Sequence, residues 1–401
     1  MSILWIIGAG TESVPGIKKA KAMGLHVVAC DGDPNAPGFD FADEKIVIST
    51  YDVDNLVTTA RTYHHDKAKI DGVICMSTDV PVSVAAITDM LGLPGISLET
   101  AQLSADKISM KNHLRAKGIP TPWYKEISSA AELKSTLKSG YYVIKPVDSR
   151  GARGVLRITN TDDLGWVFDY SMQFSPSGRV MVEEYLEGPQ ISTEALVIDS
   201  IGYPIGFSDR NYERLEQTQP FIVEDGGGFP THLSAKQKEE IEKTSIDAGI
   251  ALGVSNGVVK GDMVWTKEGA KVIEIAPRLS GGWFSTDQIP VGTGVDLIAA
   301  AIDLALGRDI NPERLIPTKN IGIAIRYFFP EPGTLKEISS KEDFDKKKWV
   351  HKLQHLVCPG DVISQPENHP QRAGYVITTG ETAQEARERA QQVVKHTHFK
   401  V

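Results

Sequence analysis

Short apolar runs alternate with amphipathic stretches along the first part of the chain. The apolar runs are ILWIIG (3–8), HVVACD (26–31), KIVIS (45–49) and DGVICM (71–76), and the amphipathic stretches cover 11–24, 52–66 and 79–92. The runs have the length of strands and the stretches that of helices. Apolar strands separated by helices are typical of a parallel sheet covered on both faces. The pattern therefore predicts an α/β domain over residues 1–100.

The pattern changes after residue 95. Residues 97–122 predict one or two helices that end at Gly118 and Pro120, and residues 234–253 predict a long amphipathic helix. Between them lie strand-like runs separated by tight turns, at 141–146, 154–159, 180–186 and 191–199. Runs of this kind favour antiparallel strands in an α+β arrangement.

The last part of the chain has its own strands and helix. Strand candidates occupy 322–329 and 374–380, and an amphipathic helix covers 382–396. We predict a middle domain over 101–310, with a subdomain at about 120–190, and a C-terminal subdomain over 311–401.

Composition narrows the class of protein. The 401 residues include 41% apolar and 24% charged residues, as in ordinary globular proteins, and the net charge is −9 without a Lys/Arg block. These values argue against a nucleic-acid or anionic membrane partner. Cys30, Cys75 and Cys358 form no CxxC pair, and no apolar run approaches the roughly 20 residues of a membrane span. We expect a cytoplasmic protein.

The segment GAGTES (8–13) after the first strand is a glycine-rich turn, and Asp31 ends the second strand. Such a turn with a following acid is found in dinucleotide-binding domains. Here the third glycine of that motif is replaced by Ser13. We favour tight-turn geometry, and a nicotinamide site stays open as the alternative.

A second glycine-rich segment, VIKPVDSRGARGV (143–155), follows an apolar strand. Its candidate residues are Lys145, Ser149, Arg150, Gly151, Arg153 and Gly154. Glycines let main-chain N–H groups approach phosphate oxygens, so the loop is suited to a polyphosphate. The alternative is a solvated hairpin turn. In an extended hairpin the two arginines would face opposite ways, so only one would face the phosphates.

Asp262 and Glu274 flank the turn TKEGA (266–270). A three-residue turn over 267–269 would place the two carboxylates opposite each other, with their Cβ atoms about 5 Å apart. A divalent cation between them would remove their repulsion, and magnesium prefers such oxygen ligands. The alternative is an exposed pair of acids on an edge hairpin.

Arg278 follows Glu274 closely and precedes Ser280, Gly281 and Gly282. An arginine beside a metal carboxylate and a flexible loop can hold a phosphoryl group or an oxyanion. A structural salt bridge is the alternative. Arg210, in the segment SDRNYERLEQTQP, is the best candidate for a substrate carboxylate or phosphate contact.

These features, in this order, resemble the ATP-grasp superfamily of carboxylate–amine ligases. The resemblance implies a Rossmann-like N-terminal domain, an ATP-grasp fold of two α+β subdomains that clasp ATP, and a small C-terminal α+β subdomain. It implies phosphate contacts from Lys107, Lys145 and the loop from Ser149 to Gly154, and magnesium ligands Asp262 and Glu274, with Mn2+ as the alternative metal. It implies adenine and ribose contacts from the segment VEEYLEGPQ (182–190), through Glu183, Glu184, Tyr185, Leu186 and Gln190.

Two departures refine the resemblance. Gln190 stands where the superfamily often has a ribose-binding Glu, and Ala276 stands where many members have a metal-binding Asn. The form Glu-Ile-Ala-Pro-Arg is similar to carboxyaminoimidazole ribonucleotide synthases, but those continue with Pro-His. Here Leu279 and Ser280 follow, which is more typical of amino-acid and peptide ligases.

The resemblance implies an ATP-dependent ligase that activates a carboxylate as an acyl phosphate for attack by an amine. Lys145 and Arg278 are its expected catalytic residues. Its partners are small-molecule substrates, and a homodimer stays open. Three alternatives stay open as well: a bicarbonate-using purine enzyme, an NAD-dependent oxidoreductase and a nucleotide-binding module without catalysis.

Overall fold

A parallel sheet forms the N-terminal layer. The computed structural model describes residues 1–340 and 343–401. Its first elements are strands β1 (Ile3–Ile7), β2 (His26–Asp31), β3 (Glu44–Val47) and β4 (Gly72–Ile74), and helices α1 (Val14–Ala22), α2 (Val53–Thr62) and α3 (Pro81–Leu91). The strands are parallel in the order β3-β2-β1-β4. On β1, Leu4 and Ile6 enter one apolar core while Trp5 and Ile7 enter another, which explains its unbroken apolar run.

Two helices connect this layer to the next sheet: α4 (Leu98–Ala105) and α5 (Lys107–Ala116). Asp106 separates them because its backbone is extended, and its side chain accepts a hydrogen bond from the Ser109 N–H at 2.8 Å. This N-cap starts α5 at Lys107. Helix α5 ends at Ala116, and the chain turns away from it at Gly118, whose φ is +76°.

A small antiparallel sheet follows, as the turn-separated runs predict. It contains β5 (Tyr124–Ile127), β6 (Tyr142–Pro146), β7 (Leu156–Ile158) and β8 (Val180–Glu184), with helices α6 (Ala130–Thr136) and α7 (Leu164–Met172). The strand order is β5-β8-β6-β7. Residues 124–184 lie inside the subdomain predicted at about 120–190.

A large antiparallel sheet makes up the rest of the molecule. Its middle part contains β9 (Gln190–Ile198), β10 (Ile201–Asn211), β11 (Gly226–Phe229), β12 (Gly257–Thr266) and β13 (Gly269–Ala276), with α8 (Leu215–Thr218), α9 (Ala235–Ala251), α10 (Ile289–Thr293) and α11 (Leu297–Ala305). The C-terminal part contains β14 (Gly322–Tyr327), β15 (Gly333–Thr334), β16 (Glu337–Ser340), β17 (Val350–His355), β18 (Val362–Ile363), β19 (Gly374–Gly380), α12 (Ala383–His396) and β20 (Thr397–Lys400).

The C-terminal strands are continuous with the middle ones. The eight strands run in the order β13-β12-β9-β10-β11-β14-β19-β17, because β14 pairs with β11 from Gly226↔Arg326 to Phe229↔Ile323. One apolar core joins Leu4 of β1 with Leu196 of β9 and Ile377 of β19. All three parts of the chain therefore border a common centre. None of the helices in the described ranges combines the length and the apolarity needed to cross a membrane.

Candidate active site

A cavity of about 650 Å³ lies where the three parts of the chain meet. It is bordered by these sequence-predicted residues: Lys107, Lys145, Ser149, Arg150, Gly151, Arg153, Glu183, Glu184, Tyr185, Leu186, Gln190, Arg210, Asp262, Glu274 and Arg278. Gly154 does not border it. A Cβ on Gly154 would lie 2.8 Å from the Pro146 ring, so this glycine serves the close packing of the loop on β6.

Asp262 and Glu274 lie directly opposite each other on β12 and β13, as predicted, but the predicted three-residue turn is wrong. Thr266 pairs with Gly269, so the turn holds two residues. A bulge at Ile273 then shifts the register by one and brings Glu274 opposite Asp262. The bulge also frees the Ile273 carbonyl, which accepts a hydrogen bond from Lys111 Nζ at 2.9 Å.

Cations surround the two carboxylates. Asp262 is paired with Arg210 Nη1 at 3.1 Å and with Lys260, while Glu274 lies 3.5 Å from Lys107 Nζ. Burial opposes the ionisation of Asp262, but Lys260 and Arg210 outweigh it and hold the pKa of this carboxyl well below its usual range. The negative charge on Asp262 is thus kept at any physiological pH.

Glu183 lies beneath the phosphate-binding candidates. Its carboxylate is 3% exposed and sits between Lys145 Nζ at 2.5 Å and Lys111 Nζ at 3.1 Å. Burial lowers the pKa of Lys111 to about 8, against the attraction of Glu183. The side chain of Glu183 therefore orients two lysines, and Glu184, Tyr185 and Leu186 follow it along the cavity wall.

The glycine loop is not the extended hairpin assumed from the sequence. Gly151, Ala152 and Gly154 have φ values of +62°, +61° and +72°, so the loop turns back on itself. As a result Arg150 and Arg153 both border the cavity, and the expectation that they face opposite ways is wrong. The loop is held from below by Lys107, whose Nζ donates to the Ser149 carbonyl at 2.8 Å.

Two other parts of the chain touch the loop. Arg150 Nε lies 3.6 Å from Asp79 of the N-terminal domain, and its guanidinium lies over the Tyr51 ring. The His369 N–H donates to the Gly151 carbonyl at 3.1 Å from the C-terminal part. The loop thus contacts both flanking parts of the chain at the cavity.

Arg278 is paired with the same Asp79, at 3.1 Å from Nε to Oδ1. Burial disfavours its charge, but Asp79 more than compensates and raises the pKa of Arg278. Asp79 thus links Arg278 with Arg150 of the loop. Ser280, two residues beyond Arg278, donates its N–H to the buried carboxylate of Glu194 at 2.8 Å.

The turn GAGTES borders the same cavity through Thr11 and Glu12. Asp31, the candidate ribose-binding acid, is engaged within its own loop. It accepts hydrogen bonds from the Ala9 N–H at 2.7 Å and from the Asp33 N–H at 3.0 Å. The turn therefore serves the common cavity, and Asp31 holds the shape of that turn.

Several cavity residues escaped the sequence reasoning: Glu12, Asp79, His369 and Arg372. Lys111 and Glu194, which contact residues of the cavity wall, escaped it too. Lys111 carried a local signal, since it lies one helical turn after Lys107 on α5. Asp79 carried a weaker one, because it follows the carboxyl end of β4, an edge where ligands bind in parallel sheets. The others reach the cavity only through long-range packing.

Within residues 1–340 and 343–401, no three His, Cys, Asp or Glu side chains come together as a ready-made metal site. The three cysteines are free thiols. Asp262 and Glu274 are the carboxylates that face each other across the sheet in the cavity.

Known families match two segments. Residues 104–282 match the ATP-grasp domain, and residues 326–401 match the L-amino acid ligase C-terminal domain 2. An uncharacterised protein of Sinorhizobium fredii is 26% identical over 385 residues, covering 94% of this chain and 78% of that protein. The formate-dependent phosphoribosylglycinamide formyltransferase of Dechloromonas aromatica is 23% identical over 407 residues, covering 96% and 93%.

Solved structures agree on the fold. The L-amino acid ligase from Bacillus licheniformis superposes with a TM-score of 0.82 at 19% identity, covering 100% of this chain and 98% of that one. The chain carries an ATP-grasp domain over residues 104–282, which confirms the resemblance to the ATP-grasp superfamily of carboxylate–amine ligases seen in its motifs. It is an ATP-dependent carbon–nitrogen ligase whose C-terminal domain is of the L-amino acid ligase type.

Proposed function

We propose that the protein joins the carboxylate of one amino acid to the amine of a second small molecule, using ATP. The observation that carries the proposal is the single cavity in which Lys145, Asp262, Glu274 and Arg278 meet. The choice of an amino acid is supported by the match of residues 326–401 to the L-amino acid ligase domain.

ATP binds between the two antiparallel sheets. Lys107, Lys145 and the loop from Ser149 to Gly154 hold its phosphates, because cations and the glycine-rich loop meet there. Glu183 orients Lys145, since its carboxylate lies 2.5 Å from Nζ. Adenine lies along the segment 184–186, and Gln190 reaches its ribose.

Asp262 and Glu274 fit a magnesium ion. They face each other on paired strands, and their only close partners in the described ranges are cations and the Ser192 hydroxyl. The two carboxylates would supply oxygen ligands of the kind that magnesium takes in nucleotide sites, together with phosphate oxygens and water. When bound, the ion neutralises charge on the phosphates.

The reaction has two steps. The substrate carboxylate attacks the γ-phosphorus of ATP, so that a carboxylate–phosphorus bond forms while the bond to the ADP oxygen breaks. The amine then attacks the carbonyl carbon of the acyl phosphate, and phosphate leaves with its bonding electrons. Arg278 stabilises the oxyanion of the tetrahedral adduct, since its charge is secured by Asp79 beside the cavity.

A substrate screen tests the proposal. The protein, with MgATP, is offered the common L-amino acids in pairs, and release of ADP and phosphate is followed together with condensed products by mass spectrometry. We expect ADP release that depends on both partners and a product lighter than their sum by one water. ADP release only with bicarbonate and aminoimidazole ribonucleotide would reject the amino-acid substrate and favour the purine alternative.

Binding of the nucleotide is tested separately. MgATP or MgADP should raise the melting temperature of the protein by mass action on the folded state, whereas NAD and NADP should not. Stabilisation by NAD without stabilisation by MgADP would contradict the assignment of the cavity.

A further inference from the structure

Glu12 lines the cavity but has no role in the reaction steps proposed above. It lies in the turn between β1 and α1 and borders the cavity. Its Oε2 accepts a hydrogen bond from the Gly282 N–H at 2.8 Å. Its Oε1 accepts none from any residue in the described part of the chain, and it is open to the cavity.

The charges around Glu12 leave a position for one more cation. Arg278, Lys352 and Arg372 are near enough to attract its carboxylate, yet none of them forms an ion pair with it in the described ranges. Tyr327 and Tyr375 are also near enough for the charge of Glu12 to act on them. A half-buried carboxylate with a free oxygen is stabilised by a charged hydrogen-bond donor, which an incoming ligand can supply.

We propose that Glu12 binds the ammonium group of the amine substrate and takes its proton, so that a neutral amine attacks the acyl phosphate. The inference rests on the proposed function, and it identifies the face of the cavity from which the amine enters. That face belongs to the N-terminal domain, while the phosphate-binding candidates belong to the other parts of the chain.

The position of Glu12 suits this step. Glu12 accepts a hydrogen bond from Gly282, which lies four residues after Arg278. The carboxylate is therefore fixed next to the loop that carries Arg278, the residue that stabilises the oxyanion. Proton transfer from nitrogen to Oε1 breaks one N–H bond and leaves a lone pair on nitrogen. That pair forms the C–N bond, phosphate departs with the electrons of the C–O bond, and the second nitrogen proton leaves with phosphate.

The environment of Glu12 supports its action as a base. Burial raises the pKa of Glu12 above its ordinary value, although the Gly282 N–H and the three cations oppose this. A base whose pKa lies closer to the operating pH transfers protons more efficiently. After each turnover Oε1 returns its proton to water through the open side of the cavity.

The experiment compares two nucleophiles on the Glu12→Gln variant. Glutamine keeps an oxygen for the Gly282 N–H and loses the charge, so the loop stays in place. With the amino-acid pair selected by the screen, kcat/KM for the amine should fall about a hundredfold or more. Hydroxylamine, which is uncharged at neutral pH, should still trap the acyl phosphate as a hydroxamate at close to the wild-type rate.

A matched control is Glu99→Gln, which changes an exposed carboxylate on α4 in the same way. It should leave both rates unchanged. An unaltered kcat/KM for the amine in Glu12→Gln would overturn the inference and leave Glu12 as a support for Gly282. Equal loss with the amine and with hydroxylamine would overturn it too, because the defect would then precede amine attack.

A different result would show that the proposed function itself is wrong. If the wild-type protein forms no hydroxamate with any amino acid and MgATP, no carboxylate of that class is activated. That result would overturn the proposed function and, with it, this inference.

Discussion

The β12–β13 hairpin and the glycine loop at 148–154 both border the cavity, but they hold their charges differently. Asp262 is 15% exposed in its side chain, and its position is set by the strand ladder and two cations. Arg153 is exposed, and its guanidinium donates to the Arg150 carbonyl at 3.4 Å. Groups that must be preorganised are thus built on the sheet, while groups that must admit and cover a nucleotide are built on a loop.

The largest loss of turnover is expected from a substitution on the large sheet, in the β12–β13 hairpin. Glu274→Gln keeps the shape of the side chain and removes its charge, so turnover should fall roughly a thousandfold, corresponding to several kcal/mol of lost stabilisation in a metal-assisted step. Initial rates of ADP release measure this, and far-UV circular dichroism checks the fold.

The same hairpin provides the control for Glu274→Gln. Glu268→Gln alters an exposed turn residue whose carboxylate pairs with Lys271, so turnover should be unchanged. Normal ADP release by a folded Glu274→Gln protein would contradict the metal assignment.

Glu183→Gln breaks the buried charge network under the cavity. Removing one member of a buried ion pair costs about 3–5 kcal/mol, because Lys111 and Lys145 are left facing each other without a carboxylate. Urea unfolding measures the free energy. Glu132→Gln, which breaks an exposed pair with Lys125, serves as the comparison and should unfold as the wild type does.

The pH dependence of stability tests whether the buried Glu194 supports the Ser280–Gly282 loop. Burial raises the pKa of Glu194 to about 7, despite hydrogen bonds from Ser285 and Ser280. A carboxyl whose pKa is higher when folded binds more protons in the folded state, so its contribution to stability is present at low pH and is lost as pH rises through about 7.

Wild-type stability should therefore fall between about pH 5 and 8 relative to Glu194→Gln, by about 2–3 kcal/mol. Unfolding free energies of both proteins across this range measure the difference. Parallel pH profiles would mean that Glu194 stays ionised in the folded protein.

The smallest effect is expected from substitutions in the glycine loop at 148–154, and it concerns the affinity for MgADP. Arg150→Ala removes a guanidinium that reaches Asp79 and Tyr51, and affinity for MgADP should fall about tenfold, as for one charge-assisted contact. Arg153→Ala should weaken binding less. Calorimetry measures both, and an equal rate of proteolysis of the loop with and without MgADP would argue against closure over the nucleotide.

Local sequence patterns were sufficient to predict the fold class and most of the candidate residues that line the cavity. The alternation of apolar runs with helices predicts the parallel sheet, and Lys145, Asp262 and Glu274 stand at strand positions that the sequence marks by pattern alone. The Asp262–Glu274 pairing was predicted correctly from the wrong turn, because a bulge at Ile273 compensates for the shorter connection.

Tertiary structure alone decided which distant groups meet. Glu12 and Gly282 are 270 residues apart, and Lys111 and Ile273 are 162 apart. The continuation of the large sheet from β11 into β14, and the turn that brings Arg150 and Arg153 to one cavity, likewise depend on how whole layers pack. Periodicity in a sequence records which face of an element is buried, but it carries no record of which buried face will lie against which.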